Sequence, residues 1–164
     1  MALAPRVPTM TDLPPLADDR ALRLLTDRLF AFTDEKRWDA LEALYVDGPI
    51  HVDMTSLTGG APAETTAADL VGGFRVGLHD GKASHHMTTN VRVEVDGDRA
   101  VVRCQGYAWN RLTAGGGSDL WETWGTYRLE ARRTDAGWRF DGFRYDAAHN
   151  RGDEAVRTHT PDDG

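Results

Sequence analysis

Ser84-His85-His86-Met87-Thr88-Thr89-Asn90-Val91-Arg92-Val93-Glu94-Val95-Asp96-Gly97 is the stretch where the period of the chain changes. Val91, Val93 and Val95 alternate with charged residues, which is the pattern of a half-buried strand. Asp96-Gly97 is a hairpin signal. Most of what precedes this stretch has helical spacing, and everything after it reads as strands. Two adjacent histidines stand where the long β segment opens, at the expected mouth of a pocket between a helical half and a strand half.

Working forward, residues 100 to 111 alternate again. Ala100, Val102, Cys104, Gly106, Ala108 and Asn110 form a small, apolar face, so Asn110 is expected to end that face pointing inward. Val101, Arg103, Gln105, Tyr107 and Trp109 take the other side. A Gly-rich loop over 114–118 leads to a strand with Trp121, Thr123, Gly125, Tyr127, Leu129 and Ala131 on one side. Thr134-Asp135-Ala136-Gly137 is the next hairpin loop, and in regular alternation Trp138 and Phe140 share a side with Arg144.

Working back, Leu22, Leu25, Leu29 and Phe32 predict a helix beginning near Asp18-Asp19. A second short helix carries Trp38, Leu41, Leu44 and Tyr45 on one face, and residues 50–53 form a short strand. Thr66 and Asp69 stand in a capping-box relation. They open a third helix with Leu70, Val71, Phe74 and Leu78 as its buried stripe. Gly72, Gly73 and Gly77 weaken that helix and are expected to let it lie close to the sheet. The fold class is α+β, with three N-terminal helices on one face of a curved antiparallel sheet of one short and four long strands. The domain spans residues 17–149, between a flexible arm at 1–16 and a disordered polar tail at 150–164.

The 164 residues suit one domain. A net charge of −7 without a basic run excludes a nucleic-acid partner. No apolar run reaches membrane-spanning length, so no membrane partner is expected, and the proline-broken N-terminus does not read as a signal peptide. The single cysteine, Cys104, reads as a small core residue and fits a cytoplasmic protein. His51 and Asp53 share a strand face but lack a third ligand, so no metal and no other cofactor is expected.

His86 is a candidate general base, since only histidine titrates near neutrality unperturbed; a pocket-lining histidine bonded to a carbonyl is the plainer alternative. His85 takes the opposite face of a regular strand, and a bulge would exchange the two. Asp34 is either a pocket acid or the N-cap of the Trp38 helix. Asp53 is a second pocket acid or a strand-end residue. Tyr107, Trp109, Trp121 and Trp124 either clasp an aromatic ligand or belong to the core or a dimer contact. The outer face with Val101, Gln105, Tyr107 and Trp109 carries too many large groups for open solvent, so a homodimer is expected there.

Several words of the chain carry a resemblance: Asp34-Glu35-Lys36-Arg37-Trp38-Asp39-Ala40-Leu41, Val52-Asp53 with Ser56-Leu57-Thr58-Gly59-Gly60, His86-Met87-Thr88-Thr89-Asn90, and Gly137-Trp138-Arg139-Phe140. Over roughly Asp18 to Asp146 the chain resembles the SnoaL-like branch of the NTF2-like superfamily of polyketide cyclases, ketosteroid isomerases and scytalone dehydratase. The resemblance implies a cone-shaped fold and cofactor-independent proton chemistry on a polycyclic or aromatic ketone-like small molecule. It implies that Asp34 and His86 meet, the carboxylate orienting the imidazole. Where scytalone dehydratase has a second histidine this chain has Asn110. Arg144 matches an arginine near the end of the last strand of a related bile-acid dehydratase. By the same resemblance, Asn110, Arg144 or a tyrosine would steady a developing oxyanion. A non-catalytic binding module of the same fold is the second reading.

Overall fold

The computed structural model describes residues 13–113 and 120–161. Most of the expected N-terminal arm and the whole Gly-rich loop therefore lie outside the described residues. The elements run α1 (Leu16–Asp34), α2 (Trp38–Glu42), β1 (Ile50–Asp53), α3 (Thr55–Thr58), β2 (Ala63–Thr65), α4 (Ala67–Gly77), β3 (Lys82–Asp96), β4 (Arg99–Leu112), β5 (Leu120–Thr134), β6 (Gly137–Gly152) and α5 (Glu154–Thr158). They form one curved sheet in the order β2-β1-β6-β5-β4-β3. β1 pairs parallel to β6, and the other pairings are antiparallel. The α+β class and the four long strands are as expected. The sheet is mixed rather than antiparallel, has a second short strand, and is joined by the additional helices α3 and α5.

α1 buries Leu22, Leu25, Thr26, Leu29, Phe30 and Thr33, a continuous stripe at helical spacing. Phe30, not Phe32, completes the stripe; Phe32 lies partly buried beneath the Arg37 guanidinium. Thr66 caps α4 by accepting the Asp69 N–H, and its hydroxyl donates to the Asp69 carboxylate. The α4 glycines do not press on the sheet: a Cβ at Gly72, Gly73 or Gly77 would meet nothing within 4 Å.

Three bulges set which side chains face inward. In β3 the register slips between Thr89 and Arg92, and Asn90 adopts the left-handed φ of 54°. Before the slip the inward residues are even-numbered; after it they are Val91, Val93 and Val95. His86 and Val93 sit on the same face only because of that extra residue. In β6, Asp141 is the extra residue opposite Glu130 and Ala131. It exchanges the faces, so Trp138 and Phe140 point inward, then Phe143 and Tyr145, while Arg144 points out. The expectation that Arg144 shares a side with Phe140 is thereby corrected. A third slip, at Ala148, bends the far end of the same strand.

The expected disordered tail is also corrected. β6 continues to Gly152, and Asp153 caps α5 through the Ala155 N–H. Val156 of α5 is only 1 % exposed. Lys82, also 1 % exposed, donates from Nζ to the carbonyls of Gly77 and Arg157, joining the end of α4 to α5. The tail is polar on average, but one buried valine and capped carbonyls are enough to seat a single turn.

His79 adds a further tie. The Gly81 N–H donates to its Nδ1, so the proton sits on Nε2, which donates to His159 Nδ1 at 2.9 Å. Burial holds the His79 imidazole below its ordinary value, with help from the charges of Lys82, His159 and Lys36 and against the pull of Asp80.

Two predictions follow from this packing. Val156→Ala removes two buried methyl groups, a loss of about 1.6 kcal/mol or roughly 3–6 °C in Tm; the same change at the exposed Val76 should leave Tm nearly unchanged. The depressed His79 means that the unfolded chain binds its proton first, so stability is lost as pH falls below about 6.5. Thermal melts at pH 7.5 and 5.5 should show that loss, and His79→Gln should reduce it.

Candidate functional site

α1, α4, the inner face of the sheet and α5 enclose a cavity of about 490 Å³. Its walls are mostly apolar, with Leu29, Phe30, Met54, Leu70, Phe74, Trp121 and Phe143 among them. The open space beside Gly73 and Gly77 is part of this cavity, so those glycines keep room for a ligand. The polar groups that reach it include His86, Asn110, Thr123, Tyr127 and Tyr145.

His86 is the inward histidine, with its side chain 14 % exposed; His85 faces outward and is 52 % exposed. The Asp34 carboxylate sits at the C-terminal end of α1, where the helix dipole disfavours an anion. Donors from β3 compensate. One oxygen accepts from His86 Nδ1 at 2.7 Å and from the Ser84 hydroxyl at 2.9 Å, and the other accepts from the His86 backbone N–H at 2.7 Å. Burial pushes the Asp34 carboxyl up, but the His86 ring bond and charge, the backbone N–H and Ser84 together outweigh it and hold the group below its ordinary value. The carboxylate is therefore ionised at neutral pH. It takes the Nδ1 proton as its bond, which leaves the Nε2 lone pair of a neutral His86 available. Phe30 stacks on the imidazole with ring centroids 5.5 Å apart and limits its rotation. Asp34 does not cap α2, whose N-cap position is Arg37.

Asn110 and Trp121 line the cavity as expected. The remaining candidates do not. Tyr107 and Trp109 are on the outer face of β4, opposite the inward Ala108 and Asn110. Tyr107 donates to the buried Glu122 carboxylate, which also pairs with Arg151, and Trp109 lies beside His85. Asp53 accepts from the Thr55 N–H and hydroxyl in a local turn and pairs with Arg144 at 3.4 Å. These Thr55 bonds, more than the arginine, hold its carboxyl low. Arg144 is shared between Asp53 and Asp146 outside the cavity.

Sequence reading passed over several lining groups. Tyr145 bonds Thr123 at 2.7 Å, and its ring lies 4.6 Å from that of Tyr127. Tyr127 was legible as an inward residue of its strand; Tyr145 was hidden by the Asp141 bulge. Arg157 was assigned to the tail, yet it lines the cavity from α5. Among the described residues no group of three or more His, Cys, Asp or Glu side chains is placed to hold a metal, and no helix is long and apolar enough to cross a membrane.

The chain is similar to several proteins of known structure. The protein Kfla4162 from Kribbella flavida is 29 % identical, with a TM-score of 0.77 over 82 % of this chain and 93 % of that one. A candidate scytalone dehydratase from Novosphingobium aromaticivorans is 18 % identical, with a TM-score of 0.70 over 91 % and 95 % of the two chains. The hexachlorocyclohexane dehydrochlorinase LinA-type3 from Novosphingobium barchaimii is 20 % identical, with a TM-score of 0.65 over 89 % and 97 %. At such identities the last two share the fold alone. No curated protein matches the sequence. The family model described as the SnoaL-like domain matches residues 14–144, and the chain belongs to that family.

Proposed function

We propose that this protein is a cofactor-independent lyase, isomerase or cyclase acting on a small polycyclic or aromatic ketone-like metabolite. The observation that carries the reading is an imidazole in an apolar cavity whose Nδ1 donates to a half-buried, ionised carboxylate. Such a carboxylate holds the tautomer and steadies the imidazolium that forms when Nε2 takes a proton. His86 is the base that removes a proton beside a carbonyl, or the proton that leaves with water. Asn110 and Tyr145 are the donors for the developing oxyanion. Dehydrochlorination and dehydration, the reactions in the names of two structural neighbours, are both eliminations in which a proton is removed along with the leaving group.

A binding module without chemistry is the second reading. It is favoured by the amide of Asn110, which binds an oxygen but does not shuttle a proton at neutral pH. On either reading the protein works in the cytoplasm, as a homodimer through the outer face of the sheet. Tyr107, Trp109 and Trp124 lie on that face among charged pairs such as Arg103–Glu94 and Arg151–Glu122. Light scattering at micromolar concentration should give twice the chain mass; a monomer sinks the dimer.

Exchange of the α-protons of 1-tetralone in D2O reports base catalysis without the natural substrate. Wild-type protein should accelerate it, and His86→Gln should lower the rate about 10²–10⁴-fold while retaining tetralone affinity. Asp34→Asn should be impaired too, and the double variant should be little worse than His86→Gln, because groups that act as one unit are non-additive. Losses that multiply would make Asp34 a structural residue only. Tight binding of tetralone with no acceleration by wild type would favour the module.

A further inference from the structure

Charge is distributed unevenly around the cavity. Among the described lining residues the formally charged side chains are Asp69 and Arg157, and His86 is engaged by Asp34. Asp69 stands in the first turn of α4. Arg157 lies at the other end of that helix, because Lys82 Nζ bridges the Gly77 and Arg157 carbonyls. Eight residues of helix separate Asp69 from Gly77, about 12 Å at 1.5 Å per residue. The cavity is thus acidic at one end of α4 and basic at the other.

The basic end is built. Arg157 is held on a helix seated by Val156, by the Asp153 cap and by the two Lys82 bonds. The Arg157 side chain is 24 % exposed, and its guanidinium is engaged by Glu154, whose side chain is 61 % exposed. An exposed i,i+3 partner of this kind contributes little. A ligand carboxylate entering from the apolar side would meet the same planar fork in a lower dielectric, where a bidentate pair is stronger. The net charge of −7 opposes anions at a distance, but screening over about 8 Å limits that field. Contact with the guanidinium therefore decides. Lys82 and His86 are four residues apart along β3, about 13 Å at 3.3 Å per residue. An anionic head at Arg157 leaves room for a ring system to extend toward His86.

We propose that Arg157 sets ligand charge, and that the cavity takes a ring-bearing organic anion whose carboxylate or phenolate displaces Glu154 from the Arg157 guanidinium. This rests on the reading of the cavity as the substrate site and goes on to name the substrate class. Acidic ring compounds differ from the neutral ketones that the His86 chemistry alone requires.

The test compares 2-naphthoate with its neutral isostere 2-naphthamide, with Kd measured calorimetrically at pH 7.5. Wild-type protein should bind the naphthoate at least tenfold more tightly. Arg157→Gln should bring the two Kd values together, Arg157→Lys should keep part of the difference, and Glu154→Gln should tighten naphthoate alone. Both side chains are surface-accessible, and circular dichroism of each variant checks that α5 and the fold persist. Equal Kd values in wild type, no binding of either probe, or a naphthoate preference that survives Arg157→Gln in a folded protein would overturn the proposal. Failure of the proton-transfer reading looks different: unchanged exchange in His86→Gln would leave the naphthoate ratio as it was.

Discussion

The carboxylate of Asp34 joins the two halves of this protein. It is an anion at the wrong end of a helix, and it is kept there by donors from the opening of β3: a serine hydroxyl, a backbone N–H and an imidazole N–H. Each bond to a charged acceptor is stronger than a neutral one. Together they set where α1 crosses the sheet. The backbone bond means that an unrelated side chain at position 86 would still leave part of the junction in place. The ring bond sets how His86 is presented. One group thus serves architecture and chemistry.

The consequences spread through the bulges. A regular β3 would put His86 and Val93 on opposite faces, and either the junction or the core would be lost. Asn90 takes a left-handed backbone conformation and supplies the extra residue that reconciles them. Asparagine tolerates that conformation better than most side chains. At Asp141 a second extra residue turns Phe143 and Tyr145 into the cavity and Arg144 out of it. Inside the cavity Tyr127, Tyr145 and Phe30 pack ring against ring beside His86. The aromatic wall of the site therefore depends on a slip at Asp141, a residue outside it.

These slips explain what the sequence could and could not tell. Alternation over Ala100–Asn110 gave the inward face of β4 correctly, because that strand has no slip along its length. The same reasoning failed for Arg144, because period-two counting crosses Asp141 unaware of it. The Asp34–His86 junction was legible only through resemblance; spacing within one chain does not say that residues 52 positions apart touch. α5 was invisible for another reason. One valine in a polar tail carries no periodicity, and its burial depends on Lys82, whose charge argues against an interior position until its two carbonyl partners are seen.

That buried lysine shows how a charge becomes structural. Burial disfavours its ammonium, and Arg157 nearby disfavours it further, so its pKa falls. It stays because the terminal carbonyls of two helices have no partner within their own helices, and a side chain that reaches both satisfies them at once. The end of α4 and the body of α5 are thereby held together over the rim of the cavity. Replacing Lys82 by methionine would keep the packing volume and leave two carbonyls without a donor. The cost of such buried unpaired groups is about 1–3 kcal/mol each, and the element that would give way is α5, which has one buried side chain to hold it. The position of Arg157 on the cavity wall therefore depends on the same two hydrogen bonds.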